Sequence, residues 1–337
     1  MRRRGETALR AGRLRGHALT LVGIAVTAAL VAVAARAIDP GEVVEGVRSS
    51  DARWLAPAVA AFCAAALLRA TRWRAMFVAG ERPRLRAVLA AMLVGDLFNN
   101  VLPARAGEAA RVFALHARSG VSRAQIVATV VLERVFDVLV LLLMLAVALP
   151  LLPDVTWLRA AAWLGAAVGV AAVAAVVVLR VFGERPLRAL LRPLRRVRFV
   201  PRDRLEQAPE NAVRGLAALT RPSVAAAAAA LTAAAWSCVV VCAWLLTRAF
   251  DLDVPPGAAL LVTVATALGM TVPSAPASLG VFEAAAVVAL AAFGVPAPQA
   301  LSYALVLHAL MFATLVAGGL AVLAWGRVSG LPRPRPG

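Results

Sequence analysis

Long stretches of this chain carry no charged side chain. Residues 16–35, 160–179 and 222–247 contain no Asp, Glu or Arg. Each is long enough to cross a hydrocarbon core of about 30 Å at about 1.5 Å per helical residue. Apolar runs with few charges predict membrane-spanning helices at 17–37, 54–70, 124–150, 157–182, 223–249 and 299–325. Two more apolar regions, 86–118 and 257–293, are interrupted. The first contains Asn99-Asn100-Val101-Leu102-Pro103-Ala104-Arg105-Ala106-Gly107-Glu108, the second Val272-Pro273-Ser274-Ala275-Pro276-Ala277-Ser278-Leu279-Gly280-Val281-Phe282-Glu283. In each, a proline stands four positions before a glycine (Pro103 and Gly107, Pro276 and Gly280) and a glutamate follows. A helix in lipid satisfies its own backbone, so a break is tolerated only where protein or a wet cavity covers the freed groups. Breaks at corresponding places in two halves are the sequence pointer to a transport site.

Loop charges set the expected topology. The segments 1–16, 69–86, 103–123, 183–222 and 326–337 hold 29 of the 36 arginines. The opposite loops, 38–53 and 150–159, hold Arg48, Arg53 and Arg159 against five carboxylates, and the turn at Asp251 and Asp253 has no basic residue. Basic loops stay inside, so both termini are expected in the cytoplasm and the protein in the cell membrane. Region 86–118 then enters and leaves on the cytoplasmic side, and region 257–293 on the outer side. The expected fold is an all-α polytopic membrane protein of about six full spans plus two re-entrant hairpins of broken helix. It is a single integral membrane domain over 1–337 and a candidate inverted repeat. Its first half is 17–150; its second is 157–325 and includes the basic connector 183–222. Eight ordinary spans are the alternative.

Composition agrees: 62% of residues are hydrophobic and 16% charged, which leaves no segment for a separate soluble domain. The net charge of +18 sits in loops between spans. It is therefore read as orientation in the membrane rather than nucleic-acid binding. The connector is a solvated link, or a contact for anionic headgroups. Every basic residue is arginine, which reads as genomic base bias. Cys63, Cys238 and Cys242 lie in apolar runs and are expected to be small core packers, not a disulfide framework. The basic start could be a signal peptide, but its apolar run is long and lacks a convincing cleavage site, so an uncleaved span is expected.

Charged and amide residues inside apolar sequence are the candidate site. Asn99, Asn100, Arg105, Glu108 and Arg111 cluster at the first break. A half-helix N-terminus there, with two arginines, suits a phosphate, and Glu108 can pair with Arg111 one turn on. Glu133, Arg134 and Asp137 lie near the middle of 124–150. Glu133 and Asp137 share a face, Arg134 reaches Asp137 at i, i+3, and buried charges at this depth need partners or water. They form a structural ion cluster, a headgroup or proton site, or both. Glu283 opens the half-helix after the second break and is the only Asp, Glu or Arg between Asp253 and Arg327. It requires a proton or a cation, and Arg134 is the nearest in expected depth. Arg69, Arg72, Trp73 and Arg74 read as interfacial anchors, and His308 as a satisfied core histidine. No Cys/His cluster supports a metal, and no Walker loop, nucleophile elbow or dinucleotide fingerprint appears. No cofactor is expected.

Taken together these residues resemble the transmembrane region of lysylphosphatidylglycerol synthases and its stand-alone, flippase-like relatives. The resemblance rests on Arg69-Ala70-Thr71-Arg72-Trp73-Arg74, on Asn99 through Pro103 to Gly107-Glu108 and Arg111, on Glu133-Arg134 with Asp137, and on Pro273 through Gly280 to Glu283. It implies a polytopic inner-membrane protein that moves or handles a polar lipid between leaflets. The full synthases add a large soluble aminoacyl-transferase domain. This chain ends a few residues past its last expected span, so synthesis of the lysyl-lipid is not expected of it. The second break also carries few glycines for the family.

The leading expectation is thus a lipid translocase, not an enzyme, whose partner is a membrane phospholipid or other polar lipid. Arg105, Arg111 and Arg134 would meet the phosphate; Glu108, Glu133, Asp137 and Glu283 would balance charge; the hairpins broken at Pro103, Gly107, Pro273, Pro276 and Gly280 would gate. Two alternatives stand beside it. One is a non-transporting membrane partner presenting a lipid to a separate transferase, the other a proton-coupled permease for a small solute.

Overall fold

In a computed structural model of the chain, the described residues are 40–77, 82–101, 106–148, 222–270 and 276–328, with Trp163 and Ala167 as isolated helical positions. The expected spans 17–37 and 157–182, the connector 183–222 but for its last residue, and the break residues Pro103, Arg105 and Pro273 lie outside them.

Every described element is helical, with no strand among the described residues. In order they are α1 (Pro40–Ser49), a 3-10 turn (Ala52–Trp54), α2 (Leu55–Ala75), α3 (Leu85–Val101), α4 (Ala106–Ser119) and α5 (Arg123–Ala148). Then come α6 (Pro222–Ala249), α7 (Pro256–Gly269), a second 3-10 turn (Pro276–Ser278), α8 (Val281–Ala291) and α9 (Ala297–Val328). Among the described residues, three helical stretches are long and apolar enough to cross a membrane: Ala52–Ala75, Pro222–Ala249 and Ala297–Trp325. About a fifth of each is buried within the protein, which leaves apolar faces such as Leu67, Val241 and Leu320 on the outside, as lipid contact requires. The 26 residues of α5 would reach about 39 Å, but they carry Glu133, Arg134 and Asp137.

Both interrupted regions are broken helices. The first divides into α3 and α4, the second into α7 and α8. With 17, 14, 14 and 11 residues, the pieces span about 26, 21, 21 and 16 Å, each short of a full crossing. They fold back as pairs. A Cβ added to Gly95 would lie 2.8 Å from the Arg111 Cβ, so α3 meets α4 with no room for a side chain. Gly269 faces Val281 and Ala285 across the α7–α8 pair.

At the second break the backbone is left-handed at Ala277 (φ 58°), Ser278 (φ 58°) and Gly280 (φ 81°). Only the last is a glycine, so the scarcity of glycine noted in the sequence is met by strained residues. Left-handed backbone costs a residue with a Cβ roughly 1–2 kcal/mol. Ala277→Gly is expected to raise the thermal unfolding midpoint of the purified protein, and Gly280→Ala to lower it, by an amount on the order of 1 kcal/mol each. Equal midpoints would remove the strain.

The described residues belong to two compact units, one within 1–63, 92–111 and 238–337, the other within 64–91 and 112–237. In the first, α9 packs on α8, and its Gly318 and Gly319 receive Leu93 and Leu97 of α3, so α9 contacts a member of each broken pair. Three segments expected on the outer side meet at one end of this unit. The Asp51 N–H donates to the Ala249 carbonyl at 2.8 Å, and Gly46 of α1 sits against Ser302 of α9. In the second unit Met76, Leu132 and Ala228 form an apolar core with Phe136 and Ala225 against it. Of the cysteines, Cys242 is buried while Cys63 is exposed, so core packing accounts for the first and not the second.

Candidate functional site

The second unit holds a buried charge cluster built from three helices. Arg72, near the end of α2, is fully buried, as is Glu133 of α5. The guanidinium reaches Glu133 Oε1 at 2.8 Å and Asp137 Oδ1 at 2.5 Å, and donates to Thr232 Oγ1 of α6 at 3.0 Å. Thr232 in turn donates to the Ala228 carbonyl at 2.7 Å, and Trp236 Nε1 donates to Asp137 Oδ1 at 3.1 Å. Arg134 lies 3.6 Å from Asp137 Oδ2 and is 51% exposed. Among the described residues two arginines thus face two carboxylates. Arg134 is the accessible member of the cluster. Beside it, buried Trp73 donates from Nε1 to Thr129 Oγ1 at 3.0 Å.

This corrects the reading of Arg72 and Trp73 as interfacial anchors. Both are fully buried, and Arg72 is the cation the α5 carboxylates require. The signal was in α5 itself. Glu133 and Asp137 face one way, whereas successive residues of a helix diverge by about 100°, so Arg134 could not serve both. Thr232 and Trp236, four apart in an otherwise apolar run, mark the face of α6 that completes the cluster.

The first unit holds a second buried pair. The Glu283 carboxylate, 7% exposed, accepts the Gly280 N–H at 2.7 Å on Oε2 and meets His308 Nδ1 of α9 at 2.6 Å on Oε1. The first bond closes the N-terminus of α8 and puts a negative group at its positive end. The Phe282 ring stacks on the imidazole with centroids 4.4 Å apart, fixing its plane. The ion partner expected for Glu283 was Arg134; the structure supplies His308 instead, and Arg134 sits beside Asp137. The reading of His308 as a core histidine agrees with its burial, and its Nδ1 has a partner in Glu283.

At the first break, Asn100 Nδ2 donates to the Asp96 carbonyl at 2.8 Å, while Asn99 packs against Gly107. Arg111 is buried and lies 3.9 Å from Glu108, the pairing expected one turn along α4. The Asn99 side-chain oxygen is buried without a partner among the described residues. Such a group tolerates burial poorly and is suited to a donor from a ligand or water. Pro276 lies in the 3-10 turn that precedes Gly280. A shallow cavity of about 400 Å³, lined by Glu42, Glu45, Ser49, Pro296, Pro298 and Gln299, contains none of these residues.

Comparison with known proteins agrees with the residue pattern. The family model described as the lysylphosphatidylglycerol synthase TM region matches residues 20–319. Among curated proteins, glycosyltransferase AglD of Haloferax volcanii is 27% identical over 341 residues. The match covers 91% of this chain and 54% of that protein, so the chain spans about half the length of its relative.

Proposed function

Because the chain belongs to the family of the lysylphosphatidylglycerol synthase transmembrane region, we propose that it is a flippase-like membrane protein that translocates or handles a phosphate-bearing lipid across the cell membrane. The observation that carries this reading is the Arg72–Glu133–Asp137 cluster with Arg134 at its accessible edge. Charge at membrane depth costs about 2.5–3.5 kcal/mol per residue on the insertion scale and marks polar traffic. Arg134, half exposed beside Asp137, is the member of the cluster placed to meet a headgroup phosphate as well. Arg105 and Arg111, at the first break, are proposed as anion contacts in their own right.

The two broken pairs, too short to span singly, are the re-entrant hairpins and gates of this plan. Six full spans complete it, with both termini in the cytoplasm. The region itself binds lipid and performs no chemistry. A second reading has a specific support: the relative's name is that of a glycosyltransferase. On that reading the bundle presents a lipid to a transferase instead of moving it.

Reconstitution into liposomes with leaflet-selective labelled phospholipid separates them. Wild type is expected to redistribute the label, and Arg134→Ala, which keeps the buried pair intact, to slow it at least about tenfold, the loss of one charged-group contact of about 1.5–3 kcal/mol. Label that stays in place, with a transferase co-purifying, supports presentation. An unimpaired Arg134→Ala removes the headgroup role.

A further inference from the structure

We infer that the Glu283–His308 pair is an exchangeable proton site, the coupling-ion site of the second broken helix pair. The inference rests on the carrier reading for what the proton drives, but not for the proton itself.

The geometry supplies a place for one proton. The imidazole Nδ1 faces Glu283 Oε1 at 2.6 Å, and Oε2 is held by the Gly280 N–H. The Nε2 nitrogen finds no hydrogen-bond partner among the described residues. With Nδ1–H donating to the carboxylate, a proton enters or leaves at Nε2 without breaking any of these bonds. Its arrival takes the pair from a net charge of −1 to zero, and its departure restores −1.

The surroundings make that single charge consequential. Among the described helices, α7 and α9 pack most closely on α8. Pro256–Gly269 of α7 has no ionisable residue. On α9 the ionisable groups are His308, Tyr303, whose hydroxyl donates to the Ala243 carbonyl, and Arg327, about 28 Å along the helix. The described elements touching α9 bring Glu42, Glu45 and Arg48 on α1, Asp96 on the portion of α3 in this unit, and Cys238, Cys242 and Arg248 on α6. Among the described residues α8 itself carries no cation, so its N-terminus is what supports the anionic form. That support comes through Gly280, directly after the left-handed Ala277 and Ser278. Charging the pair therefore acts on the strained end of a broken helix, which is where a small change in charge can move backbone.

The test uses the full chain in lipid nanodiscs and proton as the ligand. Histidine-labelled protein is titrated by NMR between about pH 4 and 9, the range in which imidazole ordinarily changes charge. The His308 signal, picked out from those of the other two histidines by its loss in His308→Gln, is expected to respond to pH in wild type and to change its midpoint in Glu283→Gln. A His308 signal that does not respond to pH overturns the site; should His308→Gln fail to fold, Glu283→Gln or replacement of His17 and His116 assigns the signal instead. In liposomes, an imposed proton gradient is expected to alter lipid redistribution by wild type at least about threefold, and His308→Gln to lose that response. Redistribution indifferent to the gradient overturns the coupling while the carrier reading stands. No redistribution under any condition removes the carrier reading, and the titration still decides the proton site.

Discussion

Arg72→Met is expected to abolish folding of the purified protein. Arg72 is fully buried, and its guanidinium is shared between Glu133 and Asp137. Removing it leaves two carboxylates in an apolar interior and, among the described cations, the half-exposed Arg134 beside Asp137. Breaking a buried pair from one side typically costs about 3–5 kcal/mol, a large part of the total stability of many proteins. Lysine should recover part of the loss, because a single ammonium cannot reach two carboxylates and Thr232 with the spread of a guanidinium. Arg72→Met combined with Glu133→Gln and Asp137→Asn should fold, since no buried charge is then left over. Size-exclusion profile and thermal midpoint in detergent are the readouts. A monodisperse Arg72→Met with an unchanged midpoint would show that the cluster does not hold these helices.

Gly107→Ala is expected to open the first broken pair. A Cβ there would stand 2.5 Å from Asn99 Cγ and would also run into the Gly95 carbonyl oxygen. Backbone on a facing helix cannot retreat as a side-chain tip can, so the cost belongs at the upper end of the about 1–3 kcal/mol typical of overpacking. Gly95→Ala meets the Gly107 carbonyl at 3.0 Å and should behave alike. Gly318→Ala is the matched control: its new Cβ meets the end of the Leu93 side chain at 3.0 Å, which can rotate away. The thermal midpoint should drop clearly for the first two and little for the third. If all three behave alike, the close approach of α3 and α4 does not occur. Because Asn99 lies in the same contact, lipid redistribution should fall with the same variants.

The broken regions were legible because proline and glycine interrupt apolar sequence, and helix in lipid has few other reasons to stop. The long spans were legible for the complementary reason. A run such as 222–247, without a single charge, has one economical fate in a membrane. The expected boundaries were short at 54–70 because Arg72 and Arg74 looked like the end of a span, whereas the helix runs on to Ala75. Arginine at the edge of an apolar run is an anchor when it reaches the headgroups, and an interior ion when other helices cover it. Position along the chain does not distinguish the two.

The same limit applied to Glu283. Its need for a proton or a cation could be read from its isolation, but His308 is 25 residues away on a different helix, and only the packing of α8 on α9 brings them together. Thr232 and Asp137 reach Arg72 across 160 and 65 residues.

What the sequence determined by itself is the helical character of the chain, its long apolar spans, and the places where two of its apolar regions break. These follow from hydrogen bonds and hydropathy acting within a few residues, which lipid enforces locally. What the tertiary structure decided is which charge answers which. A buried ion takes its partner from whatever helix is packed against it, and that neighbour is set by the shape of the whole bundle and not by any spacing along the chain.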